Sequence, residues 1–518
     1  MSKLIEVSNF FFKYYGSNEW ILKDINFEIR KGENLLILGP NGSGKSSLVL
    51  CLVGFPQRYK ISKTKGEILI KGKNVMDYSI SELSKIFGIV QQDPEAQIVN
   101  LYVEDEVAFG LENLRYPLDE ILKRVNSSLE AVGLSNKRYF ETNALSYGEK
   151  QKLMLASILA LDNEILIFDE PTSNLDPVSR KSFFNLIKKL KDKNLILIEH
   201  NLEEISDIIN KVLILNKDGS MRYFGEFNYE IFEKIKENYE ELGIWLPYEL
   251  EISMKKESSK VNLFYRPTFT NNNLIKISNI TYKYASGYVA LKNINLSFNK
   301  GLLYVILGSN GSGKTTLCKI IAGIFKPSSG EIIYNIHKNK IKYCFQNPSV
   351  QFIGKTVEEE IKLTMKEANK KLNIDELLKT YELYEYKNKN PHILSEGQKK
   401  ILSIVISLIY EPEIIICDEP TFALDKYNER KIMKLIRKLV GEGKTVIITT
   451  HDVKLSLEYS DEVIIINGGK VEYQSKIEDF LNIIESKFPE YFYSLPKYLQ
   501  KVIQNKNFEE IYKIRMIL

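Results

Sequence analysis

Cysteines are few and long apolar runs are absent from these 518 residues. The four cysteines, Cys51, Cys318, Cys344 and Cys417, stand singly without CxxC spacing, so neither a disulfide framework nor an iron–sulfur or zinc site is expected. This usage fits a reducing cytoplasm. The longest apolar runs, such as residues 401–410, stop well short of the roughly 18 residues that a membrane-crossing helix needs. Any membrane association is therefore expected to be peripheral.

An excess of one charge sign is also missing, because 71 Lys and Arg residues stand against 67 Asp and Glu residues, a net charge of +4. This balance argues against a surface that coats nucleic acid, so no nucleic-acid partner is expected. The opening residues MSKLIEVSNFFF lack the basic region, apolar core and small-residue cleavage site of a signal peptide. Without these features the chain is expected to stay inside the cell, and the composition, with 44% hydrophobic and 27% charged residues, predicts a soluble globular protein of two to four domains.

The sequence contains two copies of one unit. GPNGSGKSS at residues 39–47 recurs as GSNGSGKTT at residues 308–316, and further pairs follow in the same order: VQQDP and CFQNP, LSYGEK and LSEGQK, IFDEPTSNLD and ICDEPTFALD, IEHN and TTHD. Chance does not produce that order, so a duplicated domain is predicted. The predicted boundaries are 1–228 for the first domain, 229–273 for a connector, 274–474 for the second domain and 475–518 for a C-terminal helical tail.

Each copy has the pattern of an α/β nucleotide-binding domain. Near-continuous apolar runs such as LLILG, EILIFD and NLILIEH are typical of strands buried on both faces of a mainly parallel sheet, and amphipathic stretches separate them. The loops at the carboxyl ends of such strands carry the chemistry of this fold class.

Lys45 and Gln92 are 47 positions apart but Lys314 and Gln346 only 32, so the second copy is expected to lack surface structure in that interval.

The two glycine-rich segments match GxxxxGK[ST], the loop that cradles phosphates between a strand and a helix. Lys45 and Lys314 are expected to neutralise the β and γ phosphates, and Ser46 and Thr315 to ligate Mg²⁺. The alternative, a chance glycine-rich turn, is disfavoured because the match occurs twice in the same setting. The loop residues predicted to bind ATP are Gly39, Pro40, Asn41, Gly42, Ser43, Gly44, Lys45, Ser46, Ser47, Gly308, Ser309, Asn310, Gly311, Ser312, Gly313, Lys314, Thr315 and Thr316.

An acidic pair ends an apolar strand in each copy, in ILIFDE and in IIICDE. Asp169 and Asp418 are expected to reach Mg²⁺, and Glu170 and Glu419 to lie beside the attacking water as general bases. A positioned base typically contributes roughly 10²–10⁴-fold to a rate, so its presence in both copies predicts two working sites. The alternative is a solvated acidic pair at a strand end, and the PT that follows in both copies argues against it.

The segments LSYGE and LSEGQ resemble LSGGQ, the signature that separates ABC ATPases from other phosphate-loop enzymes, and each stands just ahead of its acidic pair. The chain is thereby identified as a tandem ABC ATPase, although both segments depart from the family at its first glycine. Ser146 and Ser395 would cap a helix, while Gly148 and Gly397 would let the backbone approach a γ-phosphate. The resemblance implies a helical signature subdomain in each domain and a signature loop that serves the nucleotide of the opposite domain.

Further positions of the family have counterparts in both copies. His200 and His451 end an apolar strand about 30 residues after the glutamate, where the family's switch histidine contacts the γ-phosphate and the attacking water. A satisfied core histidine is the alternative for either one alone. Tyr14 and Tyr284 precede the glycine-rich loops, where the family has an aromatic residue that stacks on adenine. Ordinary packing is the alternative for these tyrosines.

Gln92 and Gln346 correspond to the family's Q-loop glutamine, which reaches Mg²⁺ and water and links the nucleotide to a docked partner. Around them, GIVQQDPEAQIVNLYVEDEVAFGLENL resembles the ATPases of energy-coupling factor importers, and YCFQNPSVQFIGKTVEEEI retains part of that segment. The resemblance implies uptake of a vitamin or a transition-metal ion at the cytoplasmic face of the membrane, with an energy-coupling transmembrane protein and a substrate-binding subunit as integral partners. Glu104, Asp105 and Glu106 would receive basic residues of the membrane subunit, and a solvated helix face is the alternative.

The competing interpretation is a soluble tandem ABC ATPase that acts on ribosomes or nucleic acid. The recycling type of that class would add a cysteine-rich cluster domain, which the single cysteines do not provide. The translation-factor type has a long charged helical arm where this connector is short and rich in tyrosine, and a repair ATPase would need a long coiled coil. The importer interpretation is therefore favoured, with cargo choice assigned to a membrane subunit on another chain.

Overall fold

The structure of the chain is a computed structural model. The residues that it describes are 2–172, 175, 177–200, 202–228, 230–231, 246–258, 272–422, 424 and 426–517. It divides the chain into two compact units, Met1–Leu250 and Glu251–Leu518, each with its own sheets and hydrophobic core. Most of the predicted connector, 229–273, lies outside the described residues.

The strands of the first unit follow its apolar runs. Leu35–Leu38 has every residue buried, because both faces of a mainly parallel sheet are covered. The strands are β1 (Lys3–Tyr14), β2 (Leu22–Arg30), β3 (Leu35–Leu38), β4 (Ser62–Ile70), β5 (Lys73–Asn74), β6 (Phe87–Val90), β7 (Ile165–Asp169), β8 (Asn194–Ile198), β9 (Lys211–Leu215) and β10 (Met221–Glu226).

Two sheets organise this unit. The six-stranded sheet has the order β10-β9-β3-β8-β7-β6, parallel from β9 to β6 and closed at one edge by antiparallel β10. The smaller sheet, of order β2-β1-β4-β5, is antiparallel. Because β3, β6, β7 and β8 run in one direction, the loops that follow them meet at one edge of the sheet.

The helices that precede residue 259 begin where the sequence supplies caps or amphipathic spacing. Ser79, for example, forms a capping box with Glu82 ahead of its helix. The helices are α1 (Lys45–Leu52), α2 (Phe55–Arg58), α3 (Ile80–Ile86), α4 (Pro94–Gln97), α5 (Val103–Asn113), α6 (Leu118–Val132), α7 (Tyr147–Ala160), α8 (Pro177–Ile187) and, within the predicted connector, α9 (Tyr248–Ser258).

The second unit repeats this design. Its larger sheet has the order β15-β16-β17-β13-β18-β19, parallel except for β19, and its smaller antiparallel sheet has the order β12-β11-β14. The strands are β11 (Asn273–Lys283), β12 (Val289–Asn299), β13 (Leu303–Leu307), β14 (Ser329–Tyr334), β15 (Ile341–Cys344), β16 (Ile414–Cys417), β17 (Thr445–Thr450), β18 (Glu462–Asn467) and β19 (Lys470–Lys476).

The second unit is simpler between its glycine-rich loop and its Q-loop glutamine. The first unit places α2, β5 and α3 in that interval, whereas among the described residues of the second unit the 3-10 helix Lys338–Lys340 joins β14 to β15. The helices here are α10 (Lys314–Ile321), α11 (Val357–Glu367), α12 (Ile374–Thr380), α13 (Glu396–Ile409), α14 (Lys426–Gly441), α15 (Val453–Tyr459), α16 (Ile477–Lys487), α17 (Pro489–Ser494), α18 (Lys497–Gln504) and α19 (Phe508–Ile517).

The last four helices pack onto the second unit. Phe480 and Phe492 are fully buried, and Arg515 donates to the carbonyl of Ser460 at 2.5 Å. Tyr512 donates to Glu478 Oε1 at 2.9 Å and so joins α19 to α16. These contacts give the C-terminal segment a packing role. No helix in the described part of the chain combines the length and the apolarity that spanning a bilayer requires.

Candidate active sites

A glycine-rich loop connects a central strand to a helix in each unit: β3 leads to α1, and β13 leads to α10. Gly44 and Gly313 precede these helices with left-handed φ values of 93° and 107°. A Cβ on Gly44 would lie 2.8 Å from Leu22 Cδ2, and one on Gly313 2.8 Å from the carbonyl of Ala290. Only glycine can adopt this backbone conformation and also fit the available space. The resulting strand–loop–helix geometry is that of an anion-binding loop.

The loop lysines are buried at the first position of each helix. Each donates from Nζ to the carbonyl of the first loop glycine, at 2.9 Å in the first domain and 2.8 Å in the second. Lys45 Nζ lies 3.7 Å from Glu170 Oε1, and Lys314 Nζ lies 3.8 Å from Glu419 Oε1. Burial lowers the pKa of Lys314, although the charges of Glu419 and Asp418 oppose that shift. Both lysines thus lie between their loop and the acidic pair.

The remaining loop positions divide into buried and exposed groups. The hydroxyls of Ser43 and Ser312 are buried and have no hydrogen-bond partner among the described residues. An unpartnered buried hydroxyl in both loops fits a site that a polar ligand completes. The exposed loop residues are Asn41, Gly42, Ser46, Ser309, Asn310 and Gly311; the buried ones include Gly39, Pro40, Gly308 and Thr316, and Ser47 and Thr315 are half-buried.

The acidic pairs lie at the carboxyl ends of β7 and β16, beside the loops. Glu170 and Glu419 have positive φ values of 46° and 47°, a sparsely populated conformation for a residue with a side chain. Burial raises the pKa of Asp169. Burial also opposes ionisation of Glu170, but the hydrogen bond and charge of His200, with Lys45, outweigh it and lower the pKa of Glu170 to about 2.

Each aspartate is paired with the hydroxyl that follows the loop lysine. Thr315 Oγ1 donates to Asp418 Oδ1 at 3.1 Å, and Ser46 is hydrogen-bonded to Asp169. The structure therefore brings together the two predicted Mg²⁺ ligands of each domain, although they are more than 100 residues apart in the sequence. Hydroxyl and carboxylate oxygens are suitable ligands for this ion.

Both predicted histidines lie beside a strand-end glutamate. His200 Nε2 is 2.9 Å from Glu170 Oε1, whereas His451 Nδ1 is 3.5 Å from Glu419 Oε2. Both histidines follow a buried strand that is parallel to the strand carrying the acidic pair. The two domains thus place the same residue types together, with a closer histidine–glutamate contact in the first.

The predicted adenine-stacking tyrosines differ between the domains, whereas the Q-loop glutamines occupy corresponding positions. Tyr284 lies against its loop, since its hydroxyl is 2.9 Å from Thr316 Oγ1. Tyr14 ends β1 and packs edge-on against a neighbouring ring at 4.8 Å. Gln92 and Gln346 follow β6 and β15 and are exposed. The structure therefore links Tyr284 to its loop by a hydrogen bond and places both glutamines at the carboxyl end of the strand next to the acidic pair.

The signature serines cap helices as the sequence predicts. Ser146 and Ser395 are the N-cap residues of α7 and α13, and each forms a capping box with the residue three positions later. A Cβ on Gly397 would lie 2.7 Å from Asn428 Oδ1, and one on Gly148 3.4 Å from Ser179 Oγ. Space rather than φ therefore favours glycine at position 397.

Tyr147, at the position of the family's first signature glycine, contacts the Q-loop. Its hydroxyl donates to the carbonyl of Gln92 at 2.7 Å, and Gln151 Nε2 donates to the same carbonyl at 3.1 Å. In the second domain the corresponding Glu396 accepts instead from Lys399 at 2.8 Å. The departure from the family pattern thus joins the signature helix of the first domain to the Q-loop glutamine.

Four residues near the sites were missed by sequence reasoning. Tyr343 and Thr449 donate to Asp418, Lys400 donates to the carbonyl of Glu419, and Glu199 lies buried immediately before the histidine of the first domain. The signal that points to three of them is a hydroxyl or charged side chain near the carboxyl end of a largely apolar segment, as in IKYC, VIITT and LILIE.

The prediction that Glu106 receives a basic residue of a partner is wrong. Glu106 is buried, and its Oε2 accepts from the backbone N–H groups of residues 99–100 at 3.0 and 2.8 Å. Glu104 is hydrogen-bonded to Arg138. Of the three acidic side chains at the start of α5, Asp105 alone is exposed, because residues 99–100 bind Glu106 and Arg138 binds Glu104.

Two phosphate-binding loops, each with an acidic pair and a histidine at neighbouring strand ends, define a tandem phosphate-loop nucleotide-binding protein. The chain belongs to the ABC transporter family, which matches residues 22–173 and 291–422. Its two domains are ABC-type ATPase domains that bind and hydrolyse ATP. The predicted fold class and ATP hydrolase activity are thereby confirmed.

Relatives cover nearly the whole chain. It is 34% identical over 495 residues to the "Putative HMP/thiamine import ATP-binding protein YkoD" of Bacillus subtilis (strain 168), covering 90% of each chain. It is 33% identical over 520 residues to a "Putative ABC transporter ATP-binding protein" of Methanosarcina mazei, covering 90% of this chain and 88% of that one. It also resembles a chain of the structure of ribosome-bound archaeal Pelota and ABCE1, with a TM-score of 0.61 and 22% identity, covering 91% of this chain and 79% of that one. At that identity the likeness shows the fold alone.

Proposed function

We propose that the chain is the ATP-hydrolysing subunit of an importer of the energy-coupling factor type. It works at the cytoplasmic face of the membrane with an energy-coupling transmembrane protein and a substrate-binding subunit, and the cargo is a vitamin or a transition-metal ion. The observation that carries the proposal is the segment 88–114, whose sequence resembles the ATPases of such importers. The relative named for HMP and thiamine import supports uptake as the direction of transport.

This segment presents an apolar surface with one exposed carboxylate. Val99, Leu101, Tyr102 and Phe109 are 65%, 52%, 43% and 45% exposed, and Asp105 is exposed on the first turn of α5. Exposed apolar side chains in this number mark an interaction site. We call these five residues the docking surface. Its composition suits a helix of a membrane subunit that offers apolar side chains and a basic residue.

The second domain has a weaker version of this surface. Val350 and Ile353 are 67% and 84% exposed. Glu359, which corresponds to Asp105, accepts a hydrogen bond from the backbone N–H of Lys355 at 2.8 Å. Its carboxylate is therefore partly engaged, and we assign the principal contact with the membrane subunit to the first domain.

The proposed chemistry uses the same groups in both domains. The loop lysine binds the β and γ phosphates, the strand-end glutamate accepts the proton of the attacking water, and the histidine orients that glutamate towards the γ-phosphate. The glutamate of the first domain is ionised at physiological pH, as an acceptor must be, because its pKa is lowered to about 2. These residues are Lys45, Glu170 and His200 in the first domain and Lys314, Glu419 and His451 in the second.

The other predicted site residues position the nucleotide in this proposal. Tyr14 and Tyr284 stack on adenine, and Gln92 and Gln346 would reach the attacking water and the metal ion. The signature residues that approach a γ-phosphate are Ser146, Gly148, Ser395 and Gly397.

The residues present fit a magnesium ion. Thr315 Oγ1 and Asp418 Oδ1 are 3.1 Å apart at the end of the loop, and Ser46 and Asp169 form the corresponding pair. Hydroxyl and carboxylate oxygens of this kind would hold Mg²⁺, whose charge offsets that of the β and γ phosphates. The two pairs share the same positions relative to the loop lysine, so we assign one ion to each domain.

The importer assignment is tested by affinity purification of the full chain from detergent-solubilised membranes. Integral subunits should co-purify, and Val99→Asp or Asp105→Lys should reduce their recovery while nucleotide binding is retained, because both positions lie outside the phosphate loops. Matched controls are Leu118→Asp, at a residue 71% exposed, and Glu130→Lys, at an exposed residue of α6. Neither control should change recovery of the membrane subunits.

Two outcomes would overturn the assignment. If the chain sediments with ribosomes and recovers no membrane protein, the soluble alternative replaces the importer. If the controls lower the recovery of membrane subunits as much as Asp105→Lys does, the docking surface is misassigned.

A further inference from the structure

The carboxylate of Asp418 is held by hydroxyl groups on both of its oxygens. Tyr343 donates to Oδ2 at 2.7 Å, and Thr449 donates to Oδ1 at 2.6 Å. The Thr449 oxygen also accepts from the backbone N–H of Glu419 at 2.8 Å, so one side chain holds both members of the acidic pair. Asp418 and Thr449 are buried, and these hydrogen bonds are therefore shielded from competing water.

The strand register produces this arrangement. Tyr343 pairs with Ile416 across parallel β15 and β16, two residues before Asp418. Cys417 pairs with Ile448 across parallel β16 and β17, which places Thr449 level with Asp418. Both hydroxyls thus reach the carboxylate from the strands that flank it.

The first domain lacks these hydroxyls. The residue three positions before its Q-loop glutamine is Ile89, and the residue two positions before its histidine is Ile198. Neither side chain has a donor. The backbone N–H of Glu170 donates instead to the carbonyl of Ile198 at 2.9 Å. The acidic pairs of the two domains are therefore held by different hydrogen-bonding groups, side-chain hydroxyls in the second domain and a backbone carbonyl in the first.

We infer that Tyr343 and Thr449 are positioning residues that fix Asp418 for the metal, and that the second nucleotide site consequently requires less Mg²⁺ than the first. The inference rests on the proposed role of Asp418 as a metal ligand. Hydrogen-bond partners of a ligating carboxylate orient it, and their loss typically lowers metal affinity about 10–100-fold. A carboxylate already oriented in the absence of the ion has less freedom to lose when the ion binds.

The test measures nucleotide binding rather than activity. In the full chain carrying Lys45→Ala, which leaves the second site to bind, the fluorescence of a methylanthraniloyl-labelled ATP is followed while Mg²⁺ is titrated. Tyr343→Phe and Thr449→Val should each raise the Mg²⁺ concentration at half-saturation about tenfold. Thr449→Ser, which keeps the hydroxyl, should restore the original midpoint. The chain carrying Lys314→Ala, which leaves the first site, should have a higher midpoint than the chain carrying Lys45→Ala.

Two controls remove similar hydroxyls away from the acidic pair. Tyr304 accepts from the backbone of Asn299 at 2.7 Å, and Thr445, at the opposite end of β17, accepts from Gly301 at 2.9 Å. Tyr304→Phe and Thr445→Val should leave the Mg²⁺ midpoint unchanged. If they shift it as far as Tyr343→Phe does, the effect is general weakening of the domain and the inference fails.

The variant Asp418→Asn distinguishes failure of the proposed metal site from failure of the proposed positioning role. If it leaves the Mg²⁺ dependence unchanged, the proposed metal site itself is wrong. If it raises the midpoint while Tyr343→Phe and Thr449→Val do not, the metal site stands and the positioning role is refuted. An equal loss of labelled-ATP binding with EDTA present would also refute it, because the hydroxyls would then be supporting the phosphate loop.

Discussion

The side chain of Lys400 is hydrogen-bonded to the backbone at the acidic pair of the second domain. Its buried Nζ donates to the carbonyls of Glu419 at 2.9 Å and Phe422 at 2.8 Å. In the first domain the corresponding Gln151 donates instead to the carbonyls of residues 91–92, at 3.3 and 3.1 Å. Replacing Lys400 by methionine should therefore disturb the second site while leaving the first site unchanged.

The expected loss of stability is small because two effects oppose each other. Two carbonyls, one buried and one partly buried, lose their donor, which costs about 2 kcal/mol each. Burial lowers the pKa of Lys400 from 10.5 to about 8, and this shift corresponds to a penalty of about 3 kcal/mol for the buried charge that the substitution removes. The free energy of unfolding should thus fall by only about 1 kcal/mol. Turnover should fall about tenfold or more, because Glu419 has a strained φ of 47° and loses a contact that holds it.

The assay uses ATP hydrolysis by the complete complex, with Glu170→Gln present so that the second site is measured. Lys399→Met is the matched control, because Lys399 precedes Lys400 on α13 and pairs with Glu396 near the helix start. The reasoning is refuted if Lys399→Met lowers turnover equally. It is also refuted if Lys400→Met slows the first site, measured with Glu419→Gln, as much as the second.

The pH dependence of stability gives an independent readout for Lys400. Its folded pKa of about 8 lies below the unfolded value of 10.5, so the unfolded chain binds more protons between these values. The stability of the wild type relative to Lys400→Met should therefore rise as the pH increases from 8 towards 10.5 and stay level below 8. Urea unfolding of both chains at several pH values measures this difference, and a flat difference would contradict a buried ammonium.

The remaining predictions concern the bases, the metal and one internal carboxylate. Glu170→Gln and Glu419→Gln should each lower the ATPase rate of the complex, and together they should abolish it; an unchanged rate for either one would mean that its site is silent. Chelation with EDTA should stop hydrolysis, and added Mg²⁺ should restore it. Glu106→Gln should destabilise the first domain by about 1–2 kcal/mol in urea unfolding, because a neutral amide oxygen replaces the carboxylate that accepts charge-assisted bonds from two backbone N–H groups. An exposed Glu130→Gln should have no measurable effect.

The sequence by itself determined the features that depend on short segments. Short segments predict the phosphate loops, the strand-end acidic pairs and the helix-capping serines. Each of these features has a local backbone conformation that requires particular residue types. Apolar runs of strand length likewise predicted parallel sheets without revealing the strand order. The duplication strengthened each of these predictions by repeating it in the same order.

Contacts between distant segments were decided by the tertiary structure. The hydrogen bonds of Tyr343 and Thr449 to Asp418 depend on the register of three parallel strands, which no local pattern specifies. The sequence predicts that Glu106 is an exposed carboxylate at the start of a helix. In the structure the preceding loop folds back, its N–H groups donate to this carboxylate, and the side chain is buried. A side chain's chemical type is set by the sequence, but its partner and its exposure are set by segments that only folding brings next to it. The two nucleotide sites, nearly identical as motifs, therefore differ in the groups that hold their acidic pairs.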